Sequence, residues 1–87
     1  MKIVIYGANE TACLIAAKLF EDHDIIVIDD GTENNSNIEK LDIEYVEGSG
    51  SNIALLESIG IKDADIFIAC TDNDEANIVA CLTVTNM

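Results

Sequence analysis

The chain has no arginine, and its four lysines stand against seventeen acidic residues, leaving a formal net charge of −13. Such a surface repels phosphate backbones and anionic headgroups, which argues against direct binding to nucleic acid or direct insertion into a membrane. An anionic nucleotide meets the same repulsion. At physiological salt, however, exposed charges are screened over about 8 Å, so the immediate surroundings of a site decide. Cysteine is sparse: Cys13, Cys70 and Cys81 lie far apart, no Cys-x-x-Cys occurs, and His23 is the sole histidine. That is neither a zinc pattern nor a paired disulfide framework, and reduced thiols in the cytoplasm are the expectation. Proline is absent, and no apolar run reaches the length of a membrane-spanning helix. The first residues read as a strand and not as a signal peptide, so any connection to a membrane is expected to run through a partner.

What is present suits a small folded domain. Hydrophobic residues make up 49% of the 87, enough for a core and too many for a disordered chain. The size implies one lean domain that buries only roughly 60–65% of its unfolded surface.

Periodicity divides the chain into alternating elements. Lys2 to Tyr6 is a β-branched apolar run stopped by Gly7, the pattern of a buried parallel strand. From Glu10 to Glu21, Ala12, Ile15, Ala16 and Leu19 fall at helical spacing. Ile25 to Ile28 is a second strand, ended by Asp29-Asp30-Gly31. Thr32 to Asp42 is polar, with Ile38 and Leu41 as helix-spaced anchors, and reads as a short helix or a loop. Ile43 to Val46 is a third strand, leading into Gly48-Ser49-Gly50-Ser51. A helix follows from about Asn52 to Ser58, with Gly60 as a left-handed cap and Ile61 supplying its apolar contact. Ile66 to Ala69 is the fourth strand, and a last helix runs through Ile78, Val79, Leu82 and Val84. Repeated strand–helix alternation predicts an α/β, Rossmann-like parallel sheet with right-handed crossovers and strand order 3-2-1-4. The chain stops inside the last helical pattern, so residues 1–87 are expected to form a single nucleotide-binding domain incomplete at its carboxyl end.

Strand, Gly7, helix, strand, Asp29 is an order with chemical meaning. The helix after the turn points free N–H groups at a pyrophosphate. An acid about twenty residues later accepts hydrogen bonds from ribose hydroxyls. Asp29 occupies that place, with Asp30 as a substitute, and a carboxylate there disfavours a 2′-phosphate and so favours NAD over NADP. The glycine pattern is altered: Gly7-Ala8-Asn9-Glu10-Thr11-Ala12 places Asn9 and Ala12 where Gly-x-Gly-x-x-Gly has glycines. Ala12 still permits close helix–strand packing, Asn9 occupies space where the backbone would approach phosphate, and Glu10 adds a negative charge. A glycine between a strand and a helix is also common in α/β proteins without any ligand.

Other residues invite weaker readings. Thr71, Asp72, Asp74 and Glu75 could face a cation, but acids opening a helix ordinarily cap it, and both Thr71-x-x-Asp74 and Asp72-x-x-Glu75 look like caps. No metal site is therefore expected. Ser49 and Ser51 could reach the adenine side of a ligand or simply form a turn and a cap. Cys70 could line the cleft or pack as a small apolar side chain. His23 lies in a charged turn. No catalytic residues can be named.

Met1 to Ala8, Ile26-Val27-Ile28-Asp29, Val46-Glu47-Gly48 and above all Ala64 to Asn77, with its Thr-x-x-Asp-Glu-x-Asn ending, give the chain a family resemblance. It resembles the potassium-transport nucleotide-binding domain, also called the domain regulating potassium conductance (RCK or KTN), found at the N-terminus of Trk-type potassium uptake regulators. The resemblance implies a regulatory module, not an enzyme. It implies NAD or NADH, or in relatives ATP or ADP, in a cleft above the strands, and a homodimer or higher ring. It also implies a cytoplasmic position beneath a membrane potassium transporter or channel subunit. On this chain it makes Gly7 the phosphate-loop glycine and Asp29 the ribose acid. Gly48 with Ser49 becomes the loop beside adenine, and Thr71 the edge of the cleft. Asn9, Ala12 and the missing arginine depart from that pattern and bear on cofactor binding, not on the fold. Two further readings stay open: a degenerate scaffold that dimerises without nucleotide, and the cofactor half of an NAD-dependent oxidoreductase.

Overall fold

The computed structural model describes residues 1–31, 38 and 40–87. Its elements in chain order are β1 (Lys2–Tyr6), α1 (Glu10–Leu19), β2 (Asp24–Asp29), β3 (Glu44–Glu47), α2 (Ile53–Ser58), a single 3-10 turn (Ile61–Asp63), β4 (Ile66–Ala69) and α3 (Asp74–Thr85). The four strands form one parallel sheet in the order β3-β2-β1-β4. The expected order 3-2-1-4 is therefore present.

Alternation along β1 and β2 sends side chains to both faces of the sheet, which explains why these strands read as unbroken apolar runs. Ile3, Ile5, Ile25 and Val27 pack on one face with Ala12, Cys13 and Ala16 of α1. Val4, Tyr6, Ile26 and Ile28 pack on the other with Leu56 of α2, Ile61 and Ala80 of α3. Burying each of the large aliphatic side chains contributes roughly 1.5–3 kcal/mol. The alanines of α1 matter for a different reason. Ala12 and Ala16 are fully buried, and their small size lets the helix lie close to the strands.

The expected anchors Ile38 and Leu41 both pack against the α1 side of the core. The helix or loop expected around them falls largely on residues 32–37 and 39, outside the described residues. Gly60 takes the left-handed conformation (φ +75°) after α2, with Ile61 buried beside it, as the sequence predicts. At the same end, Lys2 Nζ donates to the carbonyls of Ile59 at 2.7 Å and Gly60 at 3.0 Å. A cation there complements the carbonyl end of α2.

Asp29 stands at the end of β2, as its last residue, and is buried at 1% exposure. The last helix is capped neither by Thr71 nor by Asp72. Asn73 is the N-cap, its Oδ1 accepting from Ala76 N at 2.9 Å. In α3, Ile78, Val79 and Leu82 are 60%, 50% and 59% exposed, and the helix packs through Ala76, Ala80 and Val84. Among the described residues, no helix is long and apolar enough to cross a membrane.

Candidate functional site

Strands β1, β2 and β3 are laid down in one direction and β4 on the opposite side of β1, so the chain reverses its winding between β1 and β4. Crevices outside the carboxyl ends of strands at such a point are where open α/β sheets bind ligands. A cleft of about 360 Å³ lies there, lined by Tyr6, Asp29, Asp30, Thr71, Asp72, Asn73 and Ala76. That is near the lower end of the roughly 300–1,000 Å³ range of small-molecule sites. A wider groove of about 650 Å³ lies at the opposite end of the sheet, between Lys2, His23, Asp24 and Glu44 among others. Helix N-termini do not converge on that groove, because the helices run antiparallel to the strands.

Asp29 borders the cleft from the end of β2. Its Oδ2 accepts from the Gly31 amide at 3.0 Å and from the Tyr45 hydroxyl at 3.1 Å. These donors hold a buried carboxylate in place, which otherwise carries a heavy desolvation cost. Asp30 is exposed on the rim.

The loop from Gly7 to Thr11 passes over the carboxyl end of β1. Gly7 has φ +128°, a conformation that side chains rarely adopt, and an added Cβ would stand 3.0 Å from the backbone of Cys70 and Thr71. Its own amide donates to Ile28 O at 2.8 Å and so belongs to the sheet. Ala8 is buried. Asn9 caps α1, its Oδ1 accepting from Ala12 N at 2.9 Å. Its Nδ2 donates to Cys70 O and, at 3.0 Å, to Asp72 Oδ1. The Asn9 side chain is thus a tie between the two loops that frame the cleft. Glu10 and Thr11 follow as the first exposed residues of α1, in the turn whose amides have no acceptor within the helix.

The loop after β4 is built around Asn77. Its Oδ1 accepts from Thr71 N at 2.9 Å and from Thr71 Oγ1 at 2.6 Å, and its Nδ2 donates to Thr71 O at 3.0 Å. This clamp gives the Thr-x-x-Asp-Glu-x-Asn segment its physical meaning.

Of the residues singled out from sequence, Asp29, Asp30, Thr71 and Asp72 line the cleft. Gly7, Ala8, Asn9, Glu10, Thr11, Gly48 and Ser49 are not among its lining residues. Gly48 N donates to Asp29 O at 2.8 Å. The Ser49 and Ser51 hydroxyls lie 2.9 Å apart within their own turn, while Asn52 caps the helix that follows. Cys70 packs against the α1 side of the core. Among the described residues no group of three or more His, Cys, Asp or Glu could hold a metal ion.

Sequence reasoning missed Tyr6, Asn73, Ala76, Tyr45 and Gly50. Tyr6 was within reach, being the last residue before Gly7 and on the strand face opposite α1. Gly50 was not: it is buried, and a Cβ on it would overlap the Tyr6 ring. Only the fold brings those two positions together.

Residues 3–87 match the TrkA-N domain. The chain is 43% identical over 83 residues to the Trk system potassium uptake protein TrkA homolog 2 of Methanosarcina mazei, covering 95% of this chain and 18% of that protein. It is 40% identical over 83 residues to the Trk system potassium uptake protein TrkA of Haemophilus influenzae, covering 93% and 18%. It therefore spans under a fifth of the length of these relatives. Among solved structures, the NAD complex of dTDP-glucose 4,6-dehydratase from Bacillus anthracis is similar in fold. The TM-score is 0.71 at 20% identity, covering 99% of this chain and 33% of that one.

Proposed function

Because the chain belongs to the TrkA-N domain family, we propose that residues 1–87 are the nucleotide-sensing domain of a potassium uptake or channel system. NAD or NADH is the first choice of ligand, with ATP or ADP as the alternative. The observation that carries this reading is the cleft between β1 and β4, with Asp29 on one wall and the Gly7 to Thr11 turn at its edge. The relatives are Trk potassium uptake proteins, and the solved structure of similar fold is an NAD complex. Both support the assignment.

In this reading, the pyrophosphate meets the amides of the first turn of α1, and the Asp29 carboxylate takes the ribose hydroxyls. Gly7, Ala8, Asn9, Glu10 and Thr11 shape the phosphate side. Asp30 stands beside the ribose, and Thr71 forms the far edge. Gly48 acts indirectly, its amide bonding the Asp29 carbonyl, while Ser49 is held in its own turn by Ser51. The domain carries no chemistry of its own. It works by having different ligand affinities in two conformations of an assembly, in the cytoplasm and attached to the membrane through a transporter or channel subunit. A homodimer or ring is consistent with β4, whose outer edge has no strand partner among the described residues, and with the apolar outer face of α3.

One observation favours a second reading, a scaffold that no longer binds nucleotide: no lysine lines the cleft, while Asp29, Asp30 and Asp72 do. Titration calorimetry of the intact protein with NAD, NADH, ATP and ADP separates the two. Saturable binding that is lost in Asp29→Ala and weakened in Asp29→Asn, with melting curves showing both variants folded, supports the sensor. Absence of binding by the intact protein favours the scaffold.

A further inference from the structure

Every cation of this protein sits at one end of its sheet. Lys2 opens β1 and is bonded to the end of α2. Lys18 is in the last turn of α1, Lys40 is in the turn leading into β3, and Lys62 is in the 3-10 turn before β4. The terminal amine lies 3.3 Å from His23 Nδ1 at the same end. Residues 32–37 and 39 contain no lysine or arginine. The opposite end, where the cleft opens, presents Asp29, Asp30 and Asp72 to a ligand. No cationic side chain lines the cleft, so attraction for an anion comes there from helix N-termini, backbone amides and neutral side-chain donors.

We propose that the cleft selects its nucleotide by charge, accepting NAD and discriminating against ATP and ADP, with Asp72 as a specificity-determining residue. The inference rests on the nucleotide reading above. The pyrophosphate of NAD is partly offset by its own cationic nicotinamide ring, whereas ADP and ATP carry terminal phosphates with no such compensation. In most nucleotide sites added salt screens an attraction and weakens binding. In this cleft, salt screens a repulsion. At low ionic strength, with a Debye length of about 30 Å at 0.01 M, the whole acidic molecule opposes ATP; at about 0.15 M only carboxylates within roughly 8 Å still do. Asp72 is among these, held at the rim by the Asn9 amide.

The test is calorimetry on the intact protein with NAD and with ATP, free of divalent cations, at roughly 0.01, 0.15 and 0.5 M salt. ATP is expected to bind at least about tenfold more weakly than NAD at low salt, and its affinity is expected to rise as salt is added. Asp72→Asn keeps an oxygen for Asn9 and removes the charge. At about 0.15 M salt it should raise ATP affinity about three- to tenfold and NAD affinity by less. Asp22→Asn, at the far end of the molecule, should change neither. The proposal is overturned if ATP binds as tightly as NAD, if its affinity falls with salt, or if Asp72→Asn acts no differently from Asp22→Asn. In each of those cases NAD binding leaves the nucleotide reading standing. Binding of neither nucleotide at any salt concentration overturns both.

Discussion

Asn9, at the start of α1, is joined to Asp72, which lines the cleft from the loop after β4, Asn9 Nδ2 donating to Asp72 Oδ1 at 3.0 Å. The same side chain caps α1 and bonds the Cys70 carbonyl. The residue that breaks the glycine pattern is therefore a structural tie between the loops, one that glycine could not make.

Replacing that tie has a measurable cost. Asn9→Ala removes the N-cap and both bonds to the far loop, and urea unfolding should show a loss of about 1–2 kcal/mol. An unchanged denaturation midpoint would mean that the side chain carries none of the connection assigned to it.

Gly7→Ala should destabilise the protein by about 2–3 kcal/mol, because the left-handed backbone and the nearby Cys70 and Thr71 backbone both oppose a side chain. Chemical denaturation measures this, and a loss under about 0.5 kcal/mol would contradict the geometry.

Gly50 has an ordinary backbone, so Gly50→Ala should act through the Tyr6 ring alone, by overpacking that costs about 1–3 kcal/mol. A double-mutant cycle isolates the effect. In a Tyr6→Ala background the same substitution should cost much less. Equal costs in both backgrounds would place the clash elsewhere.

Asn77→Ala should release the Thr71 amide, which now bonds to Asn77 Oδ1. Hydrogen exchange at Thr71 is expected to accelerate at least about tenfold, with a stability loss of about 1–3 kcal/mol. Retained protection at Thr71 would show that another acceptor holds it.

Much of the architecture was legible because its signals are local. The β-branched runs at 2–6 and 25–28 and the helical spacing of Ala12 and Ala16 required parallel strands and a packed helix. Asp29 could be named from its distance to Gly7. What escaped notice depends on position in space. Four successive polar residues, Thr71 to Asp74, all suit a helix start, and spacing alone does not choose Asn73 among them. Apolar periodicity in α3 shows a stripe without showing which way it faces, and Ile78, Val79 and Leu82 lie outside the core. Tyr45 reaches Asp29 only because β3 pairs with β2 in a register that sets Asp29 opposite Glu47. No motif records that.

β1, an inner strand, precedes both of its partners in the sequence, and this constrains how the fold is assembled. The amide of Lys2 is bonded to the carboxylate of Asp65, 63 positions along the chain, and Ile3 pairs with Ile66 beside it. On a ribosome, β1 must wait with one edge open until β4 has emerged. Such distant pairings slow folding and leave the strand exposed to wrong partners in the interval.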